Sequence, residues 1–95
     1  MPRRSLSPAD SEHGRRLGAH LARIRQRTGR SAQAVATEAR LSVDTVRSVE
    51  TGRVPTPAFL TVARLASVLG ESLDDLHAAA SDQPVTSERS VDGPA

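Results

Sequence analysis

Through the middle of this chain the hydrophobic positions recur three and four apart and show no alternating run, which predicts helices and no strand. Leu17, Leu21, Ile24 and Thr28 share one face of a helix within residues 12–28, flanked by a stripe of Arg16, Arg23, Arg27 and Arg30 and stopped by Gly29. Ser31 caps a short second helix to about Ala39, with Val35, Ala36 and Ala39 inward. Ser42 caps a third, to about Thr51, which buries Val46 and Val49 and carries Asp44 in its first turn, where the helix dipole favours an acid. A fourth is expected to start with Thr56 as cap and Pro57 at its first position, burying Phe59, Val62, Leu65, Ala66 and Leu69 before Gly70. Ser72, with Asp75 three residues on, caps a fifth bearing Leu73 and Leu76. The expected fold is all-α, a compact globule of five short helices.

The ends have a different character. Residues 1–11 hold Pro2, Pro8, three serines and two arginines and read as a flexible N-terminal arm, although Ser7-Pro8-Ala9-Asp10 offers an early helix start. Residues 81–95 are rich in Pro, Ser, Asp and Gly and read as a disordered C-terminal tail. The foldable unit is therefore residues 12–80, with a core small enough that dimerisation would help it.

Charge then separates the two halves. All thirteen basic residues are Arg, and residues 1–53 hold eleven of them against five acids, whereas residues 54–95 hold two against six. The net charge of +2 conceals this polarity, which suits a polyanionic partner. An arginine-rich solvated surface has the same composition, so placement has to decide between them.

Placement is most informative over residues 31–52, S-A-Q-A-V-A-T-E-A-R-L-S-V-D-T-V-R-S-V-E-T-G. Two short helices joined through Arg40-Leu41-Ser42 must cross steeply, which is helix-turn-helix geometry. The run resembles the Cro/cI-type (XRE) helix-turn-helix family, with its Ser, apolar-Ala pair, apolar-Ser turn, spaced aliphatics and Glu-x-Gly. Leu17-Gly18 and Ile24-Arg25 upstream resemble the family's first helix, and Pro57, Leu65-Ala66, Leu69-Gly70 and Leu76 resemble its last two. Two positions depart from the pattern. Ala32 stands where the family usually has a phosphate-binding Gln, with Gln33 next, and Arg40 stands where the turn commonly has a small residue.

The resemblance implies a lambda-repressor-like domain that lays its third helix in the major groove of DNA. Its base-reading positions fall on Val43, Asp44, Arg47 and Ser48, opposite Val46 and Val49. Val43 suits a thymine methyl, Asp44 a cytosine amine, Ser48 either sort of base, and Arg47 the O6 and N7 of guanine. Asp44 has the alternative role of complementing the helix dipole, and Arg47 that of a phosphate contact. Phosphate anchoring is expected from Ser31, Ala32 and Gln33 at a helix N-terminus, and from Thr51 and Arg53 in the following loop. Arg40 reads as an exposed side chain. Arg25 and Glu50 match a family pair that ties helix one to helix three.

Other chemistries find little support. There is no cysteine, hence no disulfide, thiol nucleophile or Cys-ligated zinc. His13, His20 and His77 lack an accompanying acidic cluster, so no metal or cofactor is expected. Neither a phosphate-binding glycine loop nor a nucleophile elbow is present, and no enzyme is expected. No apolar run reaches a membrane span, and no signal-peptide core begins the chain, so a cytoplasmic, nucleoid-associated protein is expected. The leading expectation is a homodimeric transcriptional regulator on a palindromic operator in double-stranded DNA. The alternative is an antitoxin-like or other protein-binding module whose acidic tail covers a toxin-like partner.

Overall fold

The computed structural model describes residues 7–81; the arm over residues 1–6 and the tail over residues 82–95 lie outside them. Five helices follow one another: α1 (Pro8–Arg27), α2 (Ala32–Ala39), α3 (Val43–Glu50), α4 (Phe59–Leu69) and α5 (Leu73–Ala80). The fold is all-α, with no strand among the described residues.

Serine fixes four of the five helix starts. Ser7, Ser31, Ser42 and Ser72 each take extended backbone angles and accept the amide of the residue three further on. The Ser7 cap, with Pro8 in the first turn, starts α1 well before residue 12, so part of the expected arm is helical. Thr56 does not cap α4. The chain runs through bends at residues 53–56 to Ala58, which takes extended angles and supplies no side-chain cap, and the helix begins at Phe59. This longer loop is laid against α1, where a side chain on Gly14 would stand 2.2 Å from the Pro55 carbonyl oxygen.

The core joins Leu17 and Leu21 of α1, Val35, Ala36 and Ala39 of α2, Val46 and Val49 of α3, Leu65 and Ala66 of α4, and Leu76 and Ala80 of α5. Helix α1 lies against both α5 and α3, while α2 packs on α3 and α4. Close approach of α1 to α3 depends on Gly18, because a Cβ there would sit 2.1 Å from the Val49 carbonyl oxygen.

Two arginines of the expected stripe fasten helix ends. Arg30 donates to the Val68 carbonyl at 2.9 Å, in the last turn of α4, and also pairs with Glu38. Arg16 donates to the Ala80 carbonyl, the last of α5. Both satisfy carbonyls that a helix terminus leaves without an internal partner.

Two expected core positions are exposed. Phe59 is 71% exposed and Leu73 40% exposed. Their helical phase is right, but each lies in a first turn that overhangs the packed elements. Along α4 burial deepens from Phe59 through half-buried Val62 to buried Leu65.

Candidate nucleic-acid interface

The turn between α2 and α3 sets the geometry of this face. Arg40 takes the left-handed conformation, φ 61° and ψ 44°, at the end of α2. Its amide bonds the Thr37 carbonyl at 3.2 Å, and that of Leu41 reaches back to the Ala36 carbonyl at 2.9 Å. Glycine usually closes such a motif, and Gly70 does so after α4 with the equivalent bonds from Gly70 and Glu71. Arg40 adopts the same path with a side chain that the left-handed region penalises. Leu41 packs against the core, Ser42 caps at once, and α3 departs after only three linking residues.

Helix α3 then divides into two faces. Val46 and Val49 are buried, whereas Asp44 and Arg47 are exposed. The Arg47 guanidinium takes part in none of the ion pairs among the described residues. Val43 is half-buried and packs on the core, leaving only part of its side chain outward.

Ser48 departs from the sequence expectation. It is 6% exposed, and its hydroxyl donates to the Asp44 carbonyl at 2.8 Å. Arg53 folds back from the loop and donates to that same hydroxyl, while its Nη2 lies 3.3 Å from Asp44 Oδ1. The group offered to solvent over Ser48 is therefore a guanidinium. A serine hydroxyl buried beneath Arg53 does not present itself to a base edge. Sequence spacing missed this contact because it is made across the bend at Gly52. The available signal was a flexible cation placed just after a helix that carries an acid in its first turn.

The expected anchors lie in two places, the start of α2 and the loop after α3. At the start of α2, Ser31 occupies the Ala34 amide at 3.0 Å, so the first-turn amides of Ala32 and Gln33 remain without a partner inside the helix. Ala32 itself is buried and offers only backbone, whereas Gln33 is exposed. Thr51 donates its hydroxyl to the Arg47 carbonyl at 2.9 Å and receives the Arg53 amide at 3.4 Å. That arrangement shapes the loop that carries Arg53.

Behind the face, Arg25 holds Glu50 by two hydrogen bonds and donates a third, at 2.9 Å, to the Arg30 carbonyl. The Glu50 hydrogen bonds hold the Arg25 guanidinium above its ordinary pKa, outweighing the opposing cost of burial.

Residues 16–80 match the model of a family described as a helix-turn-helix domain. The chain belongs to the helix-turn-helix domain family. The matched span runs from α1 to the end of α5, so the helix-turn-helix α2–α3 and the helices supporting it fall within one domain. No curated protein matches the chain. Among the described residues, no helix is long and apolar enough to cross a membrane, and no three His, Cys, Asp or Glu residues gather where a metal would bind. As a helix-turn-helix domain the chain has the architecture of a DNA-binding regulator.

Proposed function

We propose that this protein is a sequence-specific transcriptional regulator of the Cro/cI type that binds a palindromic operator as a homodimer, and that it works in the cytoplasm on the nucleoid. The observation carrying the proposal is the outer face of α3. An unpaired Arg47 lies beside Asp44 on a helix whose flanking loop and neighbouring helix start supply phosphate-binding groups. Residues 12–80 form the DNA-binding unit.

With α3 in the major groove, Arg47 reads guanine through O6 and N7. Asp44 accepts from cytosine N4, and Val43 offers part of a methyl surface to thymine. A carboxylate brought among phosphates is repelled by them, and Arg53 offsets that repulsion by standing beside Asp44. Ser48 acts through Arg53, fixing where the guanidinium sits. The Ala32 and Gln33 amides, the Ser31 hydroxyl and Arg53 hold the backbone, whereas Thr51, its one O–H donated to the Arg47 carbonyl, acts by shaping the loop that carries Arg53. No step of this reading requires a cofactor or a catalytic group.

A single eight-residue recognition helix reads few base pairs, which is why a second copy is required. Selection of bound duplexes from a random pool tests the reading directly. The expected product is a palindrome with half-sites centred about 34–36 Å apart, bound less tightly as salt rises. Binding indifferent to sequence would overturn it.

A further inference from the structure

The start of α4 is unlike the rest of the surface. Residues 54–63 form a run of ten without a charge, in a chain where 25% of residues are charged. Within that run Phe59 is 71% exposed, Leu60 55% and Val54 42%. Beside them lies a hollow of about 130 Å³ between α3 and α4, lined by Thr45, Ser48, Val49, Val54, Ala58 and Thr61 among others. Phe59 follows directly on Ala58 of that lining, yet its ring stays in solvent.

We infer that this patch is a two-fold interface in which Phe59 of each copy enters the α3–α4 hollow of the other. A two-fold contact uses the same patch on both partners, so a surface must carry both a projection and a matching recess. This one has the two side by side. The absence of charge, with exposed apolar side chains in its place, suits an apolar occupant better than the phosphate backbone, whose binding draws on cationic contacts. The hollow is walled in part by Thr45 and Ser48 of α3 itself, so a copy seated there stands next to the recognition helix. The inference deepens the two-fold reading of the operator and rests on it for its biological purpose. The three exposed apolar side chains place the interface at the small end of the size range, below about 1,200 Å² in total. The dimer is accordingly weak in free solution and is reinforced when adjacent half-sites bring two copies together.

The experiment is sedimentation velocity on the full chain without DNA, over a concentration series reaching the near-millimolar range. Two variants are compared, Phe59→Ala, which removes the projection, and Thr61→Arg, which fills the recess. Each is expected to raise the dimer dissociation constant at least about thirtyfold. A one-to-one mixture of the two should associate more tightly than either alone, because one intact projection and one intact recess are reunited across the two-fold. Circular dichroism melts of dilute samples should match the unsubstituted chain, since both positions lie outside the buried core. A chain that stays monomeric throughout, variants that dimerise as before, or a mixture no tighter than its components would each overturn the interface. Titration of the same proteins with selected DNA keeps the two readings apart. Sequence-specific binding by a chain that fails the sedimentation test discards only this interface, whereas a dimer with no DNA preference discards only the operator.

Discussion

Arg25 grips Glu50 through Nε at 2.7 Å and Nη2 at 3.0 Å, joining the last turns of α1 and α3 by a bidentate pair whose side chains are 15% and 11% exposed. Paired this way, the two charges set the height of α3 against α1. Water reaches them too little to compensate either one alone.

Removing a single partner should therefore strand the other. Arg25→Ala is expected to cost about 3 kcal/mol of stability, and Glu50→Gln somewhat less because Arg25 keeps its bond to the Arg30 carbonyl. A double-mutant cycle on denaturant unfolding should return a coupling of at least about 1 kcal/mol. A base with a raised folded-state pKa contributes its stability below its ordinary pKa and loses it only as pH rises past the folded one. Both lie far above neutrality for Arg25, so the coupling should stay constant between pH 6 and pH 8. Coupling near zero would reduce the pair to a surface contact.

Gly18 sets the other limit on the α1–α3 spacing. Gly18→Ala gains helix propensity of about 1 kcal/mol but drives a methyl into the carbonyls of Val49 and Glu50. Those carbonyls are backbone and cannot swing aside. A net loss of about 1–2 kcal/mol is expected, read as a fall in Tm of several degrees. A neutral outcome would show that α3 can lift from α1 freely.

Arg40 tests strain in the opposite direction. Arg40→Gly relieves a left-handed side-chain penalty of about 1–2 kcal/mol and returns part of it as chain entropy in the unfolded state. The expected result is a gain of up to about 1 kcal/mol in thermal unfolding, with the turn unchanged. DNA affinity should also be unchanged, since Arg40 is assigned no contact. If affinity falls while stability rises, Arg40 is a phosphate anchor that holds its strained backbone for that purpose.

These residues show what the sequence could and could not disclose. Five helices were legible because serine caps, glycine stops and apolar spacing agree locally, as at Ser31, Ser42 and Ser72. The Arg25–Glu50 pair was legible only through family resemblance, since nothing in a span of twenty-five residues demands it. Phe59 misled because periodicity reports which way a residue faces on its helix, not whether a neighbour lies opposite. Ser48 misled for a related reason. It has the right phase for the groove, but a cation from outside the helix lies over it, and loop reach has no periodic signature. Arg16 and Arg30 look like a solvated stripe until the ends of α5 and α4 arrive beside them.

The arrangement at Ser48 changes what Arg53 should do. As a simple phosphate anchor, Arg53→Ala would weaken all sequences alike and reduce the salt dependence by one contact. Here Arg53 also stands beside Asp44, so its removal leaves that carboxylate unscreened in the groove. Arg53→Ala is expected to weaken binding generally and, in addition, to erode preference at the base pair read by Asp44. Arg47→Ala should act differently, relaxing one neighbouring position by about 1–3 kcal/mol with little change elsewhere in the motif. Asp44→Asn supplies the control, because it removes the charge that Arg53 screens. In that background Arg53→Ala should cost affinity but no longer alter the selected motif. Selection from a random pool with each of the four proteins reads all of these outcomes. A motif unaltered by Arg53→Ala on its own would assign Arg53 to the phosphates alone and leave Asp44 to complement the dipole of α3, whereas a motif unaltered by Arg47→Ala would move base reading off the exposed face of α3.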